Sequence, residues 1–497
     1  MSKRHNVNHT FDENRNSGGG KYILLTGATG LVGRYLIKDL CLQDCRLAVI
    51  VRPGRKLSAE ERVEVIQQHW EKQLGHALPR PVVFEGDVTE ENLGLGQEES
   101  EWIRDHVDHI IHNAAVLRFT GADKRFDPWK TNCRGTQNVL DFSREHSIGK
   151  LSYVSTAYVS GIREEIVNED DFDCGQKFRN DYERSKFEAE RLVRAADWFD
   201  SVTIFRPAVI VGDSRTGYTS TYHGLFLYLR LLSSLIKRQI PNEDGVYETP
   251  ISLPISGDEP RNLVPVDWVS AVISHIVCKP EAHGRTYHLT PDKGITPREI
   301  IHACYKYFNT DNGVTYAGSG SDRVADSEFA RTFFEHARIY EAYESSDPEF
   351  NRSNVSEFAG HLPCPQIDEE MIVRFIEFGK ADNWGKRRMR RPAVNLWFKT
   401  HLDQVAKGVS RLAGSYQTED DSSLMIGLDI HGPGGGQWKV SADVDSYQVD
   451  RGLPFRSHGL LQMDNRQVER VVNSNCEPSE SSEVAWASRL EQLFEVE

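Results

Sequence analysis

Tyr182 and Lys186 stand four residues apart in the run Tyr182-Glu183-Arg184-Ser185-Lys186. On a helix, that spacing puts both side chains on one face. A lysine ammonium beside a phenol favours the phenolate and lowers its pKa. Tyr182 then becomes usable as an acid or base near neutral pH. A YxxxK match arises easily by chance in a chain of 497 residues. Its weight here comes from Ser155 and Thr156, which end an apolar run shortly upstream. A hydroxyl at that place can hold a substrate carbonyl while Tyr182 delivers a proton.

A second constellation is Thr26-Gly27-Ala28-Thr29-Gly30-Leu31-Val32-Gly33, between an apolar run and an amphipathic one. Glycines in such a turn serve the tight bend, close approach of the backbone to a pyrophosphate, and helix-strand packing. Free N–H groups at the following helix N-terminus face the phosphates. Gly27, Thr29, Gly30, Leu31, Val32 and Gly33 are therefore the first cofactor-binding candidates. The spacing is GxxGxxG, which departs from the GxGxxG of many dehydrogenases.

The next apolar run ends in Val51-Arg52, followed by Arg55 and Lys56. Sites that prefer NAD place Asp or Glu there to hold the ribose 2′-hydroxyl, whereas an arginine accommodates a 2′-phosphate. No acid lies at this strand end, so NADPH is favoured. The bland alternative for Arg52 is a surface cation. Asp87 and Val88 follow a third run, and His112 leads from a fourth into Asn113, Ala114 and Ala115. These positions are strand carboxyl ends, where open α/β sheets bind ligands. Asp87 can accept from an adenine amino group. Ala114 and Ala115 are small enough for a cofactor to lie against the backbone.

The elements that must hold these groups alternate in type. Short strands are expected at Tyr22–Thr26, Leu47–Val51, Val82–Glu85, His109–His112, Leu151–Ser155 and Val202–Phe205. Helices are expected at Leu31–Leu42, Glu60–Leu74, Glu99–Asp105, Trp129–Glu145 and Asp181–Ala196. Fully apolar strands alternating with helices imply a parallel sheet covered on both faces. Right-handed crossovers make it a doubly wound Rossmann sheet. The fold class is thus α/β, with a smaller substrate subdomain and a C-terminal α+β domain.

After about Arg206 the regularity fades. Helical spacing recurs at 224–237, 266–277, 297–307 and 327–343, separated by extended pieces and turns. This fits a substrate-covering subdomain over about 207–385, within a nucleotide-binding unit of 21–385. A further region, 386–497, opens with an amphipathic stretch at Pro392–Leu412. Strands are expected at Leu424–Ile430, Gln437–Ala442 and Leu460–Met463, and a last helix at Val484–Phe494. Residues 1–20 are polar and read as a disordered leader.

Composition removes several functions. A formal net charge of −15 argues against general nucleic-acid binding, which needs a basic face. The local basic run Lys386–Arg391 is either a solvated linker or a contact for phosphate or an acidic carrier. No run reaches the ~20 apolar residues of a membrane span, and no signal peptide is visible. Eight cysteines lie scattered, with no CxxC pair and no histidine cluster beside them. In a large chain without an export signal they read as reduced thiols of a cytoplasmic protein, with neither zinc nor a disulfide framework.

The set TGATGLVG, GDV, HNAAV, Asn132-Cys133-Arg134-Gly135-Thr136, Tyr153 to Gly161 and YERSK resembles the extended short-chain dehydrogenase/reductases. Within them the chain looks most like the branch of thioester reductases and fatty acyl-CoA reductases. Arg206 to Ser214, Thr216-Gly217, Asn262 to Asp267 and Tyr287 to Leu289 carry that likeness, over about residues 20–310. The resemblance implies a catalytic triad of Thr156, Tyr182 and Lys186. It prefers Thr156 as the active hydroxyl and leaves Ser155 as second choice. It also implies that Asn132 supports the lysine through water and that Pro207 lies near the nicotinamide. The region 390–497, with Gly432 to Val440 between two strands, is similar to sterol-carrier-protein-like lipid-binding domains. The alternative for this region is an oligomerisation or covering module.

The expected activity is NADPH-dependent reduction of an acyl thioester, bound to coenzyme A or an acyl carrier, to aldehyde or alcohol. Two other functions use the same cofactor fold. One is a sterol or secondary-alcohol dehydrogenase, or a sugar-nucleotide epimerase or dehydratase. The other is a non-catalytic NADPH-binding protein, which the intact Thr-Tyr-Lys set opposes. Self-association as a homo-oligomer is compatible with all three.

Overall fold

The computed structural model describes residues 21–386 except 122, 312, 319–320, 322–323 and 339–345, together with 402, 424–442, 446–454 and 459–464. The leader, the stretch 392–412 (Leu402 aside) and the expected last helix lie outside these residues. The strands expected from apolar runs form β1 (Tyr22–Thr26), β2 (Leu47–Val51), β3 (Val82–Glu85), β4 (Val107–His112), β5 (Lys150–Val154) and β6 (Ser201–Pro207). Between them run α1 (Leu31–Leu42), α2 (Ala59–Leu74), α3 (Gln97–His106), α4 (Gly135–Glu145) and α5 (Asp181–Ala195). All five residues of β2 are buried. A Val, Leu or Ile fully withdrawn from water contributes about 1.5–3 kcal/mol, which explains why such runs become central strands.

The main sheet has seven parallel strands, because β10 (Thr286–Leu289) adds beside β6. The order is β10-β6-β5-β4-β1-β2-β3. The strand order reverses between β1 and β4, so the crevice for a ligand opens there. One apolar core joins α1, α2 and a later helix, α7 (Val266–Val277), to one face of the sheet. The other core lies between the opposite face and α3, α4 and α5.

Beyond β6 come β7 (Val209–Val211), α6 (Leu225–Ile236), β8 (Ile251–Leu253) and β9 (Leu263–Pro265). After α7 and β10 follow α8 (Pro297–Phe308), β11 (Val314–Tyr316), α9 (Glu328–Ala337), α10 (Ser353–Ala359) and α11 (Glu369–Ala381). Within the stretch expected to cover the substrate, the chain therefore returns to the main sheet through α7 and β10. What remains forms a third core, in which Leu229, Leu232, Phe226 and Phe375 meet.

The C-terminal residues form a mixed sheet of β12 (Leu424–His431), β13 (Gly436–Ala442), β14 (Tyr447–Arg451) and β15 (Gly459–Asp464), in the order β14-β13-β12-β15. It sits at the amino ends of the main-sheet strands. The Tyr22 hydroxyl donates to Gln437 Oε1 at 2.7 Å and accepts from the Leu453 amide at 2.7 Å. Trp102 Nε1 donates to the Arg451 carbonyl at 2.7 Å.

Candidate active site

The glycine turn follows β1 at the point where the strand order reverses. Gly27 has φ +70°, and a Cβ there would stand 2.7 Å from the Ala114 nitrogen. At Gly33 a Cβ would meet the Gly27 carbonyl oxygen at 2.2 Å. Neither position admits a side chain. The turn is tied to β4 by Asn113, whose Nδ2 donates to the Gly27 carbonyl at 3.2 Å. Beneath it, His112 bridges Thr26 Oγ1 at 2.8 Å and Thr136 Oγ1 at 3.1 Å. Burial, then the Lys186 charge, pushes this imidazole down to about 3, so it stays neutral.

A cavity of about 680 Å³ runs along the carboxyl ends of the strands. Gly27, Thr29, Gly30, Leu31 and Val32 line one end with Arg52. Asp87, Val88, Asn113, Ala114 and Ala115 line the adjoining wall, and Ser155, Thr156, Tyr182, Lys186 and Pro207 line the middle. Gly33 lies under the turn and Asn132 behind the wall. The far end is apolar, formed by Leu229 and Leu232 of α6, Leu253 of β8, Ile300 of α8, and Phe333 and Phe334 of α9.

Asp87 is partly engaged locally, since one carboxylate oxygen accepts from the Thr89 amide at 2.9 Å. Around Thr29 gather two cations that the sequence reading missed. Arg62 Nη2 donates to Thr29 Oγ1 at 2.9 Å, and its Nη1 donates to the Arg52 carbonyl at 2.6 Å. Arg34 Nε donates to the Thr29 carbonyl at 3.1 Å. Burial, then Arg52 and Arg34, holds the Arg62 guanidinium below its ordinary pKa. Arg34 and Arg62 thus add two positive charges beside Thr29, at the end of the cavity that Arg52 lines. Arg34 directly follows Gly33 and was within reach of the sequence. Arg62 projects from α2, and only the tertiary fold brings it to Thr29.

Thr156 caps a single helical turn at Ala157–Ser160, and its Oγ1 donates to the Pro207 carbonyl at 3.4 Å. Ser155 Oγ instead donates to the buried Glu190 carboxylate at 2.6 Å. Of the two adjacent hydroxyls, Ser155 is committed to the Glu190 carboxylate, whereas the Thr156 hydroxyl acts on the Tyr182 phenol and pulls its pKa down. Tyr182 and Lys186 share the α5 face that their spacing predicts. The Lys186 ammonium, however, donates to the Val154 carbonyl at 2.7 Å and lies 4.3 Å from the Tyr153 ring centroid. The expected lowering of the Tyr182 pKa is not found. Burial, reinforced by Glu183, pushes this phenol up to about 12, against the pull of Thr156. Burial brings Lys186 down to about 7, and Glu190 opposes that shift.

Asn132 stands in a π-helical turn, Lys130–Arg134, that opens the helix expected from Trp129. Such bulges recur at functional sites. Its Nδ2 donates to Ser185 Oγ at 2.9 Å and its Oδ1 accepts from the Val116 amide at 2.9 Å. It therefore fastens α5 to the loop after β4. Glu190 is another residue the sequence reading missed. It pairs with Arg206 at 2.6 Å and Arg194 at 2.9 Å, one helical turn beyond Lys186.

The family model described as male sterility protein matches residues 25–273. An aldehyde reductase of Aspergillus flavus is 26% identical over 54% of this chain and 26% of its own length. A putative fatty acyl-CoA reductase of Drosophila melanogaster is 32% identical over 28% of this chain and 29% of its own. The chain spans about a third or less of the length of the curated relatives it matches. In fold it is similar to the terminal R domain of the myxalamid PKS-NRPS pathway, with a TM-score of 0.58 at 24% identity. That likeness covers 76% of this chain and 93% of the other. The strand order, the glycine turn and the match over half its length together place this chain in the male sterility protein family, the thioester-reductase branch of the extended short-chain dehydrogenase/reductases.

Proposed function

We propose that this chain reduces an acyl thioester, carried on coenzyme A or an acyl carrier, with NADPH as the reductant. The observation that carries this reading is the continuity of one cavity. It runs from the glycine turn past Thr156 and Tyr182 to an apolar end between α6, α8 and α9. A fatty chain can be withdrawn from water there while its carbonyl remains at the hydroxyls. The residues present suit NADPH. Thr29 through Val32 offer backbone to a pyrophosphate at a helix N-terminus, and Arg34, Arg52 and Arg62 offer positive charge where a 2′-phosphate is read. When bound, NADPH supplies the hydride.

The chain's own part is to hold the carbonyl and manage charge. The Thr156 and Tyr182 hydroxyls donate to the thioester oxygen as negative charge develops on it. With its pKa near 12, Tyr182 stays protonated through the neutral range and serves as the proton donor. Lys186 supplies positive charge behind it. The product after loss of the thiol is an aldehyde, and a second reduction gives the alcohol.

The test is NADPH oxidation followed by absorbance, with long-chain acyl thioesters, sterol ketones and nucleotide sugars offered in parallel. Turnover of the thioesters is expected. Turnover confined to either of the other classes overturns the proposal. Tyr182→Phe is expected to lower kcat by about 10²–10⁴-fold, the range of a positioned proton donor, with cofactor affinity unchanged. Full activity in that variant removes Tyr182 from the mechanism. The rate is also expected to fall as pH rises through about 7, where Lys186 loses its proton. A profile flat to pH 9 contradicts that role.

A further inference from the structure

Two cysteines on different elements meet far from the cavity. Cys45 lies in the turn between α1 and β2, and Cys278 caps the carboxyl end of α7. Their sulfurs stand 3.1 Å apart. Cys45 is half-buried and Cys278 exposed, so both can be reached from solvent. Cys41 and Cys304 are buried, and Cys174, though exposed, bonds Arg163 at 3.6 Å and has no sulfur partner among the described residues. The separation in sequence is large, but α1 and α7 pack side by side in the same core. A disulfide needs an S–S separation of about 2.05 Å. Cys45 lies in the turn beyond α1 and Cys278 at the end of α7, where an adjustment of about an ångström leaves the helices in place.

From this geometry we infer that Cys45 and Cys278 form a thiol-modification site that a low-molecular-weight disulfide such as glutathione disulfide converts into an internal staple. The two sulfurs share a hydrogen bond that either thiol can donate, and Cys278 is the more exposed, so Cys278 is the attacking group. Its thiolate attacks one sulfur of glutathione disulfide, forming a mixed disulfide and releasing one glutathione thiolate. Cys45 then loses its proton and attacks Cys278 Sγ, which closes the Cys45–Cys278 bond and releases the second glutathione. The two protein thiols are oxidised and one glutathione disulfide is reduced to two thiols. The pair joins the far ends of α1 and α7. Gly30 and Gly33 lie at the other end of α1, about 18 and about 14 Å from its carboxyl end at 1.5 Å per residue. The staple therefore secures the fold and leaves the nucleotide turn untouched.

The experiment uses the full chain, reduced and then incubated with glutathione disulfide. Free thiols are blocked, and the digest is analysed by mass spectrometry. A linked peptide pair containing Cys45 and Cys278 is expected. It should be absent in both C45S and C278S. The linked form is expected to melt about 5 °C higher, because closing so long a loop restricts the unfolded chain, while NADPH affinity is unchanged. Glutathione retained on Cys278, without the linked pair, overturns the proposal. So does a linked form that melts no higher than the reduced chain.

Discussion

At the carboxyl ends of the main-sheet strands the chain leaves a cavity, whereas at the amino ends of the same strands it lays a second sheet against them. The first end is finished with glycines, alanines and hydroxyls. The second is finished with large side chains and hydrogen bonds. Tyr22, the first residue of β1, is buried, packs edge-on to Trp102 at 5.0 Å, and holds both Gln437 and Leu453. Among the described residues of 424–464, none lines the cavity. The C-terminal sheet therefore bears on how the fold is held, and the opposite end bears on chemistry. Substitutions can separate these two roles.

The largest effect on stability is expected from a residue that crosses this division. Glu190 lies at the cavity end but is fully buried, with Arg206, Arg194 and Ser155 around it. Glu190→Gln leaves Arg206 charged and deprived of its carboxylate, which costs about 3–5 kcal/mol. Chemical denaturation at pH 7 measures the loss. Burial pushes the Glu190 carboxyl up, but Arg206, helped by Arg194 and Ser155, outweighs it and holds the group below its ordinary range, so the pair's contribution is complete above that range. It disappears as pH falls through the lowered value. The gap between wild type and variant should then narrow in acid. A gap that stays constant from pH 7 into acid contradicts the ion-pair account.

Next is the amino end. Tyr22→Phe keeps the ring and removes one hydroxyl, leaving Gln437 Oε1 and the Leu453 amide without it. Two buried groups that lose a partner cost about 2 kcal/mol together, at the low end of the range for such losses. Denaturation should register that, and kcat/KM should not change. A drop in kcat/KM at equal folded fraction would break the division between the two ends.

The same division governed what could be read in the sequence. Strands β1 to β5 are built around short apolar stretches, unbroken in β2, and each was expected within about two residues of its final bounds. β10 was not. It contains His288, which is buried only because Arg206 at 3.3 Å and the Asn351 carbonyl at 2.8 Å partner it. Helices α10 and α11 were also unforeseen. The pattern of Met371, Ile372, Phe375 and Ile376 on α11 is amphipathic, but it followed a stretch without regular spacing. At the site, motif residues were legible because backbone sterics restrict them, as at Gly27 and Gly33. Glu190 and Arg62 were not, because each acts through partners distant in the chain. The direction of the Tyr182 pKa was misjudged because spacing shows that two side chains share a face, and neither how deeply the phenol is buried nor which acceptor the lysine takes.

Arg62 yields the smallest expected effect and the sharpest test of the cofactor end. Its guanidinium reaches Thr29 and the Arg52 carbonyl, so Arg62→Ala removes one of the three cations that we propose to hold a 2′-phosphate. A partly exposed charge contact of this kind is worth about 1.4 kcal/mol, which is tenfold in affinity. NADPH should bind about tenfold more weakly, and NADH, which lacks the 2′-phosphate, should bind as before. Titration of intrinsic cofactor fluorescence reads both. Equal weakening of the two cofactors would mean that Arg62 only braces the glycine turn through Thr29. The choice between NADP and NAD would then rest on Arg52 and Arg34.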